Sequence, residues 1–308
     1  MTEKSLGSRS STAEVLSGVD LTGKKIIVTG ANTGIGFEAA RAFAAAGADV
    51  ILACRNLEKS NEAVARITER HPDTHPQGLA LDLASVSSIR QFCKQIPFET
   101  IDVLVCNAGL VPTQYQGTED GIELCVGVCH FGHFVLCELL LDKILKSNDA
   151  RVVMVSSESH RSPAQLDFDC FPLSKDTFSS MKAYGQAKLC NVLFANELQR
   201  RYGEQGLSAC SLHPGALITT EIGRYSGVLG LLVRLFSPFT KNPDQGAATT
   251  VYCAARAAAE EIQGNYFSHC RNVGSSKEAN NTGVAKRLWA LSETFCASHG
   301  VTNQAKGT

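Results

Sequence analysis

From Lys25 onward, short apolar runs alternate with longer segments of helical periodicity. Six runs have the length of buried strands: 26–28, 50–52, 79–81, 103–105, 152–155 and 207–212. Helical patterns lie between and after them, at 37–46, 58–69, 86–93, 121–145, 181–201 and 245–259. Runs that are apolar throughout are typical of parallel strands covered by helices on both faces. The alternation therefore predicts an α/β fold: a single-domain, Rossmann-type, doubly wound parallel sheet in three α/β/α layers.

No shift in composition marks a linker in the 308 residues, so one domain is favoured over two. We predict an N-terminal arm over residues 1–20, the domain over 21–298 and a flexible tail over 299–308. A helical pattern through Leu288 and Leu291 is expected to pack on the edge of the sheet.

Composition excludes several classes of function. The net charge of −1 gives no general attraction to nucleic acid or anionic lipid, and no nucleic-acid partner is predicted. The twelve cysteines are scattered and the start of the chain is polar, which favours reduced thiols in the cytoplasm. No run approaches the ~18 apolar residues of a membrane span.

A glycine-rich turn follows the first predicted strand and opens the first helix. Glycines at such a turn let the backbone approach a pyrophosphate, and the helix N-terminus supplies free N–H groups. The predicted cofactor-binding residues of the turn are Gly30, Asn32, Thr33, Gly34, Ile35 and Gly36.

The end of the second strand carries Arg55 where an acidic residue would indicate NAD. Arginine can pair with a ribose 2′-phosphate, so NADP(H) is favoured. An ordinary surface arginine is the alternative. Two further strand ends are expected to line the cofactor, with Asp82 and Leu83 after the third strand and Asn107, Ala108 and Gly109 after the fourth.

Tyr184 and Lys188 stand four residues apart in a predicted helix, so both side chains lie on the same face. A nearby ammonium stabilises a phenolate, which suits Tyr184 as a general acid/base. Lys188 can also bind the ribose next to the nicotinamide. Ser157, at the end of the fifth strand, can hold the substrate oxygen, with Ser156 as the alternative. His160 is interpreted as a wall or surface residue rather than a base.

These motifs, in this order and spacing, resemble the short-chain dehydrogenase/reductase family over about residues 20–295. The segments Ala53–Asn56, Val155–His160, Ser237–Lys241 and Gln245–Thr250 look like its retinol-dehydrogenase branch. The resemblance implies catalysis by Ser157, Tyr184 and Lys188 on lipophilic alcohols or carbonyl compounds such as retinoids and steroids. It also implies that Pro214 and Gly215, with Thr219 or Thr220, approach the nicotinamide carboxamide, and it leaves a homodimer open.

One position departs from the family pattern. The family usually has Asn where this chain has Cys129, and that Asn helps to hold a water molecule that links the lysine to solvent. Because a thiol is a poor donor, proton relay is expected to be slower unless the backbone carbonyl still anchors the water. A zinc site at Cys125, Cys129, His130 and His133 is disfavoured, because a helix would spread these side chains over different faces; no metal is predicted.

The segment 227–236 is unusually apolar. It is expected to form a lid over a lipophilic substrate, with peripheral membrane contact and plain packing as alternatives. The predicted function is an NADP-dependent oxidoreductase acting on CH–OH groups. The alternative, suggested by Cys129, is a weakly active or non-catalytic NADP-binding regulatory protein.

Overall fold

A single eight-stranded sheet forms the centre of the molecule. The structure is a computed structural model and describes residues 6–215 and 241–301. The strand order is β3-β2-β1-β4-β5-β6-β7-β8. The strands are β1 Lys25–Thr29, β2 Asp49–Cys54, β3 Gln77–Ala80, β4 Val103–Cys106, β5 Ala150–Val155, β6 Leu207–His213, β7 Tyr266–Ser268 and β8 Arg271–Val273. Strands β1–β7 are parallel, and β8 pairs antiparallel with β7.

Helices cover both faces of this sheet. Those described are α1 Thr12–Val15, α2 Gly34–Ala45, α3 Leu57–Arg70, α4 Val86–Gln95, α5 Leu124–Val126, α6 Gly132–Leu145, α7 Ser180–Tyr202, α8 Pro243–Val251, α9 Ala259–Ile262 and α10 Thr282–Ser298. Alternate residues of β1 enter different cores: Ile26 and Val28 pack with α2, α3 and α8, while Ile27 packs with α4, α6 and α7. The predicted three-layer α/β/α fold is confirmed.

Three segments differ from expectation. Strands β7 and β8 were not predicted, because three residues are too few to show a periodicity. The last helix packs on α7 rather than on the sheet edge, and the Trp289 ring lies 4.9 Å from that of Phe134 and 5.7 Å from that of Phe194. In the predicted arm, Thr12 and Val15 are fully buried; the proposed domain boundary stays a prediction.

The stretch Leu124–Leu145 has the length and hydropathy of a membrane span, which the sequence analysis did not recognise. In the described residues it is the one such helix, and 78% of its most apolar window is buried inside the protein. Its side chains pack under the sheet with those of α4 and α7. We therefore assign it to the core. A π-helical turn, Gly127–Phe131, interrupts it between α5 and α6.

Candidate active site

Asn107 stabilises the glycine turn by hydrogen bonds to its backbone. The Asn107 side-chain amide donates to the carbonyl oxygens of Thr29 (2.8 Å) and Gly30 (3.3 Å). Gly30 and Gly34 have φ values of +65° and +61°, which other residues rarely adopt. Thr33 precedes α2 without capping it by a side-chain hydrogen bond, so the first N–H groups of the helix stay available. This arrangement fits a dinucleotide pyrophosphate.

Gly36 is the position at which this cradle tolerates a side chain least. An added Cβ would overlap the Asn107 amide nitrogen and lie 2.5 Å from the Gly30 carbonyl oxygen. We expect Gly36→Ala to weaken NADPH binding by roughly 5- to 150-fold, the equivalent of about 1–3 kcal/mol of overpacking. Fluorescence titration with NADPH measures the change. Gly274→Ala is the control, because nothing lies within 4 Å of its added Cβ. Equal NADPH affinities for the two variants would contradict the assignment of the glycine turn as the cofactor site.

Thr29 connects this turn to the helix that carries Cys129. Its hydroxyl oxygen accepts the N–H groups of Asn107 and Ala108, both at 2.9 Å, and lies 2.9 Å from His133 Nε2. His133 Nδ1 lies 3.0 Å from the Cys129 carbonyl oxygen. A carbonyl only accepts, so Nδ1 carries the ring proton and Nε2 accepts from Thr29. In the sequence, His133 was weighed only as a zinc ligand, because its hydrogen bond to Thr29 depends on contacts between distant segments.

The ends of β2 and β3 lie on one side of the glycine turn, in the order β3-β2-β1. Arg55 is exposed and, within the part of the chain that the structure describes, makes no ion pair or hydrogen bond. Asn56 caps α3 by accepting the N–H of Lys59. Half-buried Asp82 accepts the N–H of Ala84 at 2.9 Å, and Leu83 is buried next to it.

Lys188 is buried and tied to the end of β5. Its Nζ donates to the Val155 carbonyl oxygen at 3.1 Å, and the side-chain amide of Asn191 donates to the same oxygen at 3.1 Å. Ser156 Oγ donates to the Lys188 carbonyl oxygen at 2.7 Å. Ser156 is therefore occupied in joining β5 to α7. Asn191, one turn beyond Lys188, was not singled out in the sequence.

Tyr184 lies on the same face of α7 as Lys188, with the Lys188 ammonium 5.5 Å from the centre of its ring. Its hydroxyl makes no hydrogen bond to any residue in 6–215 or 241–301. Gly185 brings this part of α7 against the turn that follows Ser157, since an added Cβ would overlap the Ser162 carbonyl oxygen. Gly185 was not singled out in the sequence.

Ser157 is half-buried at the carboxyl end of β5, where it caps the short turn 158–161 by accepting the N–H of Ser159. His160, in contrast, is fully buried. Its Nδ1 donates to the Ser157 carbonyl oxygen at 2.7 Å and its Nε2 accepts the N–H of Ser276 at 3.1 Å. Both ring nitrogens are thus used to fix the turn that presents Ser157.

Pro214 and Gly215 are buried after β6, and Lys241 Nζ donates to the Pro214 carbonyl oxygen at 3.2 Å. Gly215 has a φ of +122°. Thr219, Thr220 and the apolar segment 227–236 lie outside the described residues, so their predicted roles stay predictions.

The four residues weighed as a zinc site have different neighbours. His130 Nε2 lies 2.9 Å from Ser292 Oγ, whereas His133 contacts Thr29. Cys125 Sγ lies 3.2 Å from the Leu110 carbonyl oxygen. Among the described residues, no group of three or more His, Cys, Asp or Glu side chains is placed to hold a metal ion.

Known proteins match this chain over most of its length. The family model described as short chain dehydrogenase matches residues 24–168. WW domain-containing oxidoreductase of Gallus gallus is 46% identical over 95% of this chain and 72% of its own. Retinol dehydrogenase 12 of Mus musculus is 41% identical over 89% and 86%. A crystal structure of an uncharacterized protein from Mycobacterium paratuberculosis is 30% identical, with a TM-score of 0.72 and coverage of 94% and 98%. These likenesses confirm the family resemblance carried by the sequence motifs.

Proposed function

The chain belongs to the short-chain dehydrogenase/reductase family, and on that premise we propose that it interconverts lipophilic alcohols and carbonyl compounds with NADP(H). When bound, the nicotinamide supplies or accepts the hydride. The observation that carries the proposal is that α7, which bears Tyr184 and Lys188, packs against the carboxyl end of β5 and against the turn that follows Ser157. Ligands bind at this edge in doubly wound folds.

We assign the proton transfer to Tyr184. Its hydroxyl has no partner among the described residues and is available to a substrate oxygen. Lys188 holds a positive charge beside the ring, which stabilises the phenolate that forms when the proton is given to a carbonyl oxygen. Ser157 donates a second hydrogen bond to that oxygen and stabilises the charge that develops on it. Lys188 would also bind the nicotinamide ribose.

We propose NADP(H) as the cofactor because of Arg55. The guanidinium has no ion-pair or hydrogen-bond partner among the described residues, and it lies at the end of β2, next to the capped N-terminus of α3. A 2′-phosphate at this point gains charge-assisted hydrogen bonds from the guanidinium. The turn from Gly30 to Gly36 would hold the pyrophosphate, and Asn107–Gly109 and Pro214 would line the nicotinamide half.

Replacement of Arg55 tests the cofactor assignment. We expect Arg55→Ala to weaken NADPH binding by roughly 10- to 150-fold, since a hydrogen bond to a charged group contributes about 1.5–3 kcal/mol. Binding of NADH should change little, because it carries no 2′-phosphate. The control is Arg70→Ala, an exposed arginine at the opposite end of α3. Equal loss of both cofactors would contradict the assignment.

The substrate class is proposed from apolar side chains that the fold leaves exposed beside the site. Val111, which follows the cofactor segment, is 51% exposed, and Met181, one turn before Tyr184, is 64% exposed. Tyr115 and Phe178 meet edge to face between these segments, with ring centres 5.9 Å apart. Exposed apolar groups around a site favour a hydrophobic ligand, and a retinol dehydrogenase is among the relatives.

A turnover assay tests the function. Purified protein that is mixed with NADPH and a panel of aldehydes, retinal among them, should oxidise the cofactor. The reaction is monitored by the loss of the near-ultraviolet absorbance of NADPH. We expect the protein to act mainly as a reductase where NADPH is abundant. Tight NADPH binding without turnover of any aldehyde would favour the non-catalytic regulator instead.

A further inference from the structure

The side chain of Lys241 packs against the glycine that follows β6. Gly215 has a φ of +122°, which other residues rarely adopt. A Cβ added to Gly215 would lie 2.6 Å from Lys241 Nζ and 2.7 Å from both Cδ and Cε. The last three atoms of the lysine side chain therefore occupy the space that a side chain at position 215 would need.

Two acceptors hold the end of this lysine. Lys241 Nζ donates to the Pro214 carbonyl oxygen at 3.2 Å and lies 3.0 Å from His269 Nδ1. An ammonium only donates, so His269 Nδ1 accepts and the ring proton is on Nε2. Burial and the charges of Lys241 and Arg271 lower the pKa of His269, which keeps its ring neutral at physiological pH.

His269 lies in the turn between β7 and β8, in a backbone conformation that is uncommon for its residue type. Its φ is +56°, and that of Cys270 is +58°. The Cys270 N–H donates to Thr249 Oγ1 at 3.3 Å, which ties the turn to α8. The acceptor for Lys241 is thus presented by a turn that is itself held in place.

Lys241 connects two neighbouring strand ends at the edge of the sheet that carries the candidate site. Strands β5, β6 and β7 are adjacent in the sheet. Ser157, Pro214 and His269 each follow the carboxyl end of one of these strands. Ligands bind at this edge in doubly wound folds, so the lysine lies where it can affect a bound cofactor.

We propose that Lys241 is a positioning residue for the nicotinamide half of the cofactor, because its hydrogen bonds to Pro214 and His269 hold the Pro214–Gly215 segment in place. The statement rests on the proposed function, which assigns this segment to the nicotinamide half. Proline and glycine have no polar side chain that could fix their own backbone. Lys241 touches no reacting atom and acts through the backbone of these two residues.

A ligand without the nicotinamide separates this role from general support of the fold. 2′-Phospho-ADP-ribose keeps the adenosine, the 2′-phosphate and the pyrophosphate of NADPH. We expect Lys241→Met to weaken NADPH binding by about tenfold, the scale of one hydrogen bond to a charged group, and to change the affinity for 2′-phospho-ADP-ribose by less than about twofold. Titration calorimetry measures both affinities. The control is Lys286→Met, on the exposed surface of α10, which should change neither.

A double-mutant cycle tests the link to His269. Glycine accepts the positive φ at position 269 but offers no acceptor side chain, so His269→Gly should weaken NADPH binding several-fold while Lys241 is present. In the Lys241→Met protein the same change should have no further effect, because the histidine acts through the lysine. His269→Asn is the matched control, since asparagine also tolerates positive φ and keeps an acceptor oxygen.

Equal losses of affinity for NADPH and 2′-phospho-ADP-ribose in Lys241→Met, or no loss of either, would overturn the proposal. An effect of His269→Gly that is the same with and without Lys241 would also overturn it. If thermal unfolding shows that Lys241→Met does not fold, the same comparison of the two ligands with His269→Gly decides.

The proposed function can fail separately. Loss of NADPH affinity alone, together with an absence of turnover of any aldehyde, would count against the proposed catalysis and leave the role of Lys241 standing. Binding of neither ligand by the unaltered protein would overturn the cofactor assignment and, with it, this role.

Discussion

Tyr184→Phe should lower kcat for aldehyde reduction by about 10³-fold and leave NADPH binding within about twofold. The change removes one oxygen atom, so the ring keeps its place above the Lys188 ammonium. What is lost is the proton that a carbonyl oxygen needs when it becomes an alcohol. Single-turnover kinetics at saturating NADPH measure this step directly.

The matched control is Tyr202→Phe, on the last turn of the same helix, where its buried ring belongs to the core formed with α4 and α6. It removes the same atom and should leave turnover almost unchanged. A Tyr184→Phe enzyme that keeps more than about a tenth of the original kcat would show that another group supplies the proton, since general acid catalysis contributes 10²-fold or more.

Ser157→Ala should lower kcat by about 10²- to 10³-fold, the effect of removing one donor from a developing oxyanion. Ser156→Ala is a control that differs by one position. Ser156 donates to the Lys188 carbonyl oxygen inside the protein. Its loss should cost about 1 kcal/mol of unfolding free energy and leave turnover within several-fold. Steady-state rates and thermal unfolding of the two variants give both numbers.

A larger loss of kcat in Ser156→Ala than in Ser157→Ala would instead show that Ser156 holds the substrate oxygen. The hydrogen bonds decide between the two serines in a way that the sequence could not. Both follow β5, but one side chain is directed into the interface with α7 and the other caps the turn 158–161.

The sheet could be predicted from sequence because its central strands are buried on both faces. Residues such as Ile26, Ile27 and Val28 all lie in a core, so the apolar run is continuous and easily recognised. Strands β7 and β8, at one end of the sheet, are short, and the turn between them places His269 and Cys270 at positive φ without a glycine to signal it. Local patterns carry too little information for such a hairpin.

The residues of the candidate site also differ in how far local sequence patterns reveal them. The turn from Gly30 to Gly36 and the pair Tyr184 and Lys188 have spacings set by one helix or one turn, so the sequence displays them. Gly185 and His133 are defined by the close approach of segments far apart in the chain, which no local spacing reveals.

Cys129 illustrates a third case. The substitution was visible in the sequence, and it predicted a weaker proton relay on the grounds that a thiol is a poor donor. The structure adds Lys188 and Cys125 around the sulfur and, through His133, a hydrogen bond on the Cys129 carbonyl oxygen.

Transfer of a deuterium label tests the central claim most directly. NADPH that carries deuterium at its reactive carbon is incubated with the protein and retinal or another lipophilic aldehyde, and the mass of the product alcohol is measured by mass spectrometry. The account predicts an alcohol that carries one deuterium at the former carbonyl carbon, and almost none with Tyr184→Phe. Bound cofactor with no labelled alcohol from any aldehyde of the panel, or equal labelling by Tyr184→Phe, would contradict it.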